Sequence, residues 1–207
     1  DIGVVNYEEP FTKLKHVGLI MGEDGRKMSK RWGNVINPDE IVAQYGADSL
    51  RVYEMFMGPF EQASNWNTNG LVGARKFLDR IATLGELTEF KENKEIKAIL
   101  HKTIKKIGED IAAFNFNTAV SALMILTNAI IEEKNKIQAL PLTRADFIIF
   151  LQIIAPFAPH LSEELAEKNG AEISLFASPW PQYDEKLIKD EIVNLEVQIN
   201  GKLRVNF

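Results

Sequence analysis

Apolar residues recur every three to four positions over much of this chain, a spacing that marks one face of a helix. From about Leu71 to Glu86, Leu71, Ala74, Phe77, Leu78 and Ile81 share such a face, with Arg75, Lys76, Asp79 and Arg80 largely off it. From about Lys94 to Phe114 the set is Ile96, Ile99, Leu100, Ile104, Ile107, Ile111 and Phe114. Amphipathic helices in series predict a bundle. Asn117 is placed to cap a third helix running to about Lys134, and Thr143 with Asp146 three residues on resembles a capping box for a fourth. That fourth helix carries Phe147, Ile148, Ile149, Phe150, Leu151, Ile153 and Ile154, too apolar to face water. It belongs at the bundle's centre, stopped or kinked near Pro156 and Pro159. A short helix from about His160 to Asn169, ended by Gly170, completes the set.

The first third reads differently, because glycines and prolines punctuate short elements there and thin out beyond residue 70. Asn37-Pro38-Asp39-Glu40 supplies an N-cap, a proline at the first helical position and an acid at the third, and Gly46 suits the C-terminal cap. A second helix then runs from about Ala47 to Met57, and its apolar positions are nearly all-round, which predicts burial on every side. At the other end the period falls to two. Val193, Leu195, Val197 and Ile199 alternate with polar residues, Asn200-Gly201 is a favoured hairpin turn, and Leu203, Val205 and Phe207 alternate again. The expected architecture is mainly α: a segment at 1–70, a helical bundle at 71–182 and a β-hairpin within 183–207.

Composition changes this picture little. A chain of 207 residues with 45% hydrophobic and 26% charged residues can bury a proper core. With no cysteine there are no disulfides, thiol nucleophiles or Cys-ligated zinc, and His16, His101 and His160 lack metal-ligand spacing. No apolar run reaches the roughly 18 to 20 residues of a spanning helix, so no membrane role is expected. A net charge of −5 argues against coating nucleic acid with the whole surface, yet permits a local basic patch. The chain opens Asp-Ile-Gly without methionine and closes on an apolar hairpin strand, so it is expected to be an excerpt of a longer one.

The basic patch lies between Lys13 and Arg31, where six cationic side chains meet only Glu23 and Asp24, a net +4. Within it, Gly22 to Gly33 puts Lys27 and Lys30 in a glycine-flanked loop, and lysine ammonium groups are compact charges suited to phosphate oxygens. The P-loop alternative fails on spacing, since Gly25 is separated from Lys27 by Arg26 and Met28 follows. On charge alone a solvated basic turn suffices. Arg75, Lys76 and Arg80, with Lys102, Lys105 and Lys106, form two further clusters able to hold RNA phosphates, though each is also an ordinary solvated helix face. Trp66 reads as a packing anchor before a helix, with base stacking as the alternative, and Met55 and Met57 as core filler.

Lys27-Met28-Ser29-Lys30-Arg31, followed by Gly33-Asn34-Val35 and Pro38, resembles the KMSKS signature of class I aminoacyl-tRNA synthetases. Tyr45-Gly46-Ala47-Asp48-Ser49-Leu50-Arg51 is similar to the helix junction that follows it in the branched-chain members. Tyr53 to Pro59 and Trp66 to Gly70 are similar to the leucyl branch of that family. Phe116-Asn117-Thr118-Ala119 and Ala155 to Leu165 resemble its helical anticodon-binding domain, and Val197 to Arg204 the start of its small C-terminal domain. The resemblance implies ATP-dependent attachment of leucine to tRNA(Leu) by a cytoplasmic, monomeric enzyme. Lys30 is then the first choice for ATP-phosphate contact, Lys27 assists, and Met28 and Ser29 shape the backbone around the nucleotide. The Mg2+ that accompanies ATP would find its ligands outside this segment. Arg31 departs from the usual serine, which keeps the site cationic but removes any serine-specific bond. No HIGH-type segment and no editing insertion are present, so the excerpt alone should be inactive. The rival readings are an isoleucyl or valyl relative, a free-standing RNA-binding module and a helical scaffold.

Overall fold

In the computed structural model, residues 3–9, 11–188, 196–199 and 202–206 are described. The described elements run β1 (Ile20–Met21), α1 (Pro38–Tyr45), α2 (Ala47–Phe56), β2 (Ser64–Asn65), α3 (Thr68–Gly85), α4 (Lys94–Ala113), α5 (Phe116–Ile137), α6 (Arg144–Ile154), α7 (Pro159–Lys168), α8 (Glu185–Ile188), β3 (Glu196–Ile199) and β4 (Lys202–Asn206). The mainly α class stands, with the bundle helices within one or two residues of their expected starts and stops, except that α5 runs three residues past the expected Lys134 and α3 starts early, as described below.

Local chemistry starts most of these helices. The side chains of Asn37, Asn67 and Asn93 accept backbone N–H bonds from the first turns of α1, α3 and α4, and Thr143 Oγ1 accepts from Asp146 N at 3.0 Å at the start of α6. Each satisfies N–H groups that have no partner inside the helix. The α3 cap starts that helix three residues before the expected Leu71. Asn117 does not cap α5: the helix already begins at Phe116, with Asn115 at the cap position and no side-chain bond there. Thr118 Oγ1 donates instead to Asp110 Oδ2 at 2.8 Å, which fastens the start of α5 to the end of α4 and draws Asn117 into the helix.

The core follows the predicted faces. Leu71, Ala74, Phe77, Leu78 and Ile81 of α3 are buried, as are Ile96, Leu100, Ile104 and Ile107 of α4. Phe147, Phe150, Leu151, Ile153 and Ile154 of α6 are wholly excluded from solvent, so α6 is the bundle's interior helix. Trp66 is buried edge-on to Tyr53 with ring centroids 4.9 Å apart, the packing-anchor reading. One expectation fails. Helix α2 is buried along one side only, through Asp48, Ser49, Val52 and Tyr53, while Phe56 is 38% exposed. Helices α1, α3, α5 and α7 pack against α2 but leave the side carrying Arg51, Glu54 and Phe56 open to solvent.

Two features lie outside the expected pattern, and the second joins the first third to the bundle. Strands β1 and β2 pair in parallel, Ile20 with Ser64 and Met21 with Asn65, and no period in the sequence predicts either strand. The rings of Phe60, Phe114 and Phe116 meet at 5.3–5.6 Å between centroids, and Lys15 Nζ lies 5.6 Å over Phe114. Ahead of β1, the apolar side chains of Val4, Val5, Tyr7, Phe11, Leu14, Val17 and Leu19 are exposed. Strands β3 and β4 pair antiparallel with a register shift between Val197 and Gln198. The predicted Asn200-Gly201 turn, and Val193, Leu195 and Phe207, lie outside the described residues.

Candidate functional site

The lysine loop leaves the sheet directly. Met21 at the end of β1 bridges antiparallel to Lys27, Gly22 N donates to Arg26 O at 2.8 Å, and Gly25, at φ +73°, turns the chain between them. A left-handed turn of this kind is cheap for glycine and strained for other residues. Ser29 then opens a 3-10 turn over Lys30–Trp32: its Oγ accepts from Arg31 N at 3.3 Å, and Gly33 closes the turn at φ +64°. Met28 packs partly against the core, which anchors the middle of the arc and leaves Lys27 and Lys30 on its outer side, exposed.

The acids counted against this loop do not neutralise the lysines. Asp24 accepts from Arg26 N at 3.0 Å and Arg26 Nε at 2.9 Å, and from Asn34 Nδ2 at 3.1 Å. These bonds, the one from Arg26 N first, hold its carboxyl below the usual carboxylate range. Glu23 Oε1 accepts from Thr68 Oγ1 at 2.8 Å and Thr68 N at 3.3 Å, at the start of α3. Arg26 and Arg31 both lie over the Trp32 ring, at 4.8 and 5.1 Å from its centre. Among the described residues, neither Lys27 nor Lys30 has an ion pair or a side-chain hydrogen bond. The loop therefore presents two uncommitted ammonium groups on a backbone tied at several points.

The helical cations are less uniform than their sequence suggests. Arg75 pairs with Asp79 at 2.8 Å and donates to Tyr45 O at 3.1 Å, Arg80 donates to Asn128 Oδ1, and Lys106 pairs with Asp110 at 2.9 Å. Lys105 Nζ lies 5.5 Å over the Tyr183 ring, Lys102 is exposed, and Lys76 is exposed with no such partner among the described residues. Both clusters sit on helices that pack against α5, Arg80 through its bond to that helix.

A buried carboxylate joins the two parts. Asp48 in the first turn of α2 accepts from Leu161 N at 2.8 Å and His160 N at 3.4 Å, and meets His160 Nδ1 at 2.8 Å. Helix α7 has Ala158 at its cap position and no side-chain cap of its own, so Asp48 caps it from more than a hundred residues away. Arg51, one turn on, donates to Pro156 O at 2.7 Å. An apolar cavity of about 280 Å3, lined by Leu19, Ile20, Met55, Met57, Phe60 and Phe116 among others, lies beneath β1 and away from the lysines.

Residues 93–207 match the family described as the anticodon-binding domain of tRNA ligase, more than half of the chain. The chain belongs to that family. Residues 3–67 match class I tRNA synthetases (I, L, M and V), a span that contains the whole lysine loop. Lys102, Lys105 and Lys106 thus fall inside the anticodon-binding match, whereas Arg75, Lys76 and Arg80 fall between the two matched spans. The leucine–tRNA ligase of Bdellovibrio bacteriovorus is 46% identical over 99% of this chain, and that of Chloroherpeton thalassium 43% over 100%. This chain covers 26% of each, about a quarter of the length of these tRNA ligases. A solved ternary complex of the Agrobacterium radiobacter K84 agnB2 LeuRS with tRNA and LeuAMS aligns with a TM-score of 0.82 and 34% identity, over 99% of this chain and 28% of that one. The chain is homologous to leucine–tRNA ligases along its length.

Sequence reasoning named the lysines and passed over the residues that arrange them. Asp24 and Glu23 entered only as opposing charge, and Asn34 only as part of the signature's wording. An asparagine placed seven residues after one loop lysine and four after the other, opposite a Glu-Asp pair, is a local signal for a side-chain tie.

Proposed function

We propose that this chain is the section of a leucine–tRNA ligase that brings cations to the phosphates of ATP and holds the tRNA, with boundaries near residues 70 and 182. In the activation step the leucine carboxylate attacks the α-phosphorus of ATP, a new P–O bond forms, and pyrophosphate leaves with the electrons of the broken one. Negative charge grows on the phosphate oxygens as this happens. Positioned cations that bind the charge more tightly in the transition state than in the ground state lower the barrier. Lys30 contacts the phosphates, Lys27 assists, and Ser29, by capping the 3-10 turn, sets the backbone direction of Lys30. Met28 holds the arc to the core. The observation that carries this reading is the exposure of Lys27 and Lys30 without an anionic partner among the described residues, on a loop whose acids are bonded elsewhere.

The bundle offers phosphate contacts for tRNA(Leu). Lys76 is available as it stands, Lys102 extends the α4 cluster, Lys105 leaves the Tyr183 ring to reach a phosphate, and Arg75, Arg80 and Lys106 exchange an intramolecular partner for one. The exposed apolar side chains before β1 face the rest of the longer ligase in this reading. Among the described residues no helix is long and apolar enough to cross a membrane, and we place the enzyme in the cytoplasm as a monomer. The test is Lys30→Ala in the full-length ligase. Leucine-dependent ATP–pyrophosphate exchange should fall about tenfold or more while tRNA binding stays within about twofold. Unchanged exchange removes the assignment.

A further inference from the structure

We infer that Asp24 and Asn34 form a clasp that positions the lysine arc, with Asn34 as the positioning residue on which Lys27 and Lys30 depend. The inference deepens the reading above and rests on its assignment of these lysines to ATP.

The geometry of one amide carries it. Asn34 Oδ1 accepts from Ser29 N at 2.8 Å, and Asn34 Nδ2 donates to Asp24 Oδ1 at 3.1 Å and Oδ2 at 3.3 Å. A single side chain therefore ties a point three residues before Lys27 to the residue immediately before Lys30. The clasp rests on glycine: a Cβ on Gly22 would lie 2.8 Å from Asn34 Nδ2 and 2.8 Å from Asp24 Oδ1, so only a residue without a side chain lets the two partners meet there. The stacking of Arg26 and Arg31 on Trp32 crosses the same arc from the outside.

The arrangement suits a loop that must hold cations without neutralising them. Exposed loops of this length are ordinarily mobile, and ordering them on binding lowers affinity. A lysine paired with an acid would be ordered but masked. Here the acid is bonded to Arg26 and to an uncharged amide, so the backbone is fixed while both ammonium groups stay open. An aspartate at position 34 would keep the acceptor for Ser29 N–H but set two carboxylates against each other. Alanine would remove both arms and add no charge.

The test uses the full-length ligase and two readouts. The first is native-state trypsin cleavage after Arg26, Lys27, Lys30 and Arg31, which reads loop closure whatever the loop binds. The second is kcat/KM for ATP in pyrophosphate exchange. Asn34→Ala and Asn34→Asp should each speed cleavage and lower kcat/KM about tenfold, whereas Asp24→Asn, which keeps an acceptor for Asn34, stays within about threefold. The exchange Asp24→Asn with Asn34→Asp rebuilds the donor and acceptor in reverse and should return both readouts to within about threefold of the parent. Asp24→Asn should not rescue Asn34→Ala, which separates the clasp from net charge. Cleavage unchanged in Asn34→Ala overturns the clasp outright. Faster cleavage with unaltered exchange overturns its positioning role, and Lys30→Ala in the same assay then tells whether the ATP reading fails with it.

Discussion

Replacing Asp48 by alanine removes one carboxylate and uncouples two helices far apart in the chain. Three contacts go with it: a good bond from Leu161 N at 2.8 Å, a long one from His160 N at 3.4 Å, and the imidazole contact at 2.8 Å. A hydrogen bond to a charged group contributes about 1.5–3 kcal/mol, and loss of an N-cap costs about 1 kcal/mol. The two figures describe overlapping atoms, and Asp48 is only 8% exposed, so water does not replace the lost acceptor well. We expect a loss of about 3 kcal/mol, which for a chain of this length lowers Tm by about 6–12 °C. His160→Ala isolates the imidazole. That side chain is 76% exposed, so its pairing contributes less than about 1 kcal/mol. Asp48→Asn keeps an acceptor for the helix but loses the charge, and should fall between the two. Urea titrations followed by helical circular dichroism on the three variants measure the series. If Asp48→Ala lies within about 0.5 kcal/mol of the parent, or if His160→Ala matches it, the capping argument is wrong.

Two further predictions concern the ends of the described fold. Burial pushes the His101 imidazole below its ordinary pKa, against the attraction of Asp146 and Asp184 and together with the repulsion of Lys97; its Nδ1 accepts from Asp184 N at 3.0 Å, a bond that protonation removes. Between the folded pKa and the unfolded value of about 6.5 the unfolded chain binds more protons, so stability is complete above about 6.5 and falls as pH drops through that window. His101→Gln should flatten this part of a stability–pH curve, and an unchanged slope contradicts it. Gly18→Ala would set a Cβ 1.9 Å from the backbone oxygen of Gln62, beside the bond from Gly18 N to Phe60 O at 2.8 Å, so the segment before β1 must lift off. Faster trypsin cleavage after Lys13 and Lys15, with a stability loss of about 1–3 kcal/mol, is the expected result.

The parts of this fold that could be read in advance are those whose causes lie within one or two turns. The α3 and α4 faces, the Asn37 and Thr143 caps and the two-residue period of the last strands all depend on neighbours in sequence. The failures share the opposite property. Whether Asn115 or Asn117 starts α5 is decided by Thr118 reaching Asp110. The burial of α2 depends on which of its sides meets α3, α5 and α7, and an all-round apolar pattern says only that several sides could. The β1–β2 pairing rests on two residues in each strand, too short for any period to register. Asp48 and His160 both stand in stretches that resemble synthetase wording, yet nothing in either stretch announces that they touch.

Charge is where sequence and structure diverge most usefully. Counted along the chain, the loop carries a net +4 and the two helical clusters three cations each, so the two kinds of site look comparable. In three dimensions they separate. The loop's acids are bonded to Thr68, Arg26 and Asn34, none of them a lysine, which leaves the field of Lys27 and Lys30 unopposed at close range. On the helices, i to i+4 spacing sets Asp79 against Arg75 and Asp110 against Lys106; the first pair is exposed, worth little and readily exchanged, while in the second Lys106 is exposed and the buried Asp110 keeps its bond from Thr118. A site that must bind a small, dense charge in one geometry needs cations with no competing partner. A surface that holds a long polyanion at many weak points tolerates cations that trade one oxygen for another. In the reading proposed above, the loop has the first character and most of the bundle's cations, Lys76 excepted, the second, so pairing favours ATP at Lys27 and Lys30 and tRNA along α3 and α4, where the count of charges alone does not distinguish them.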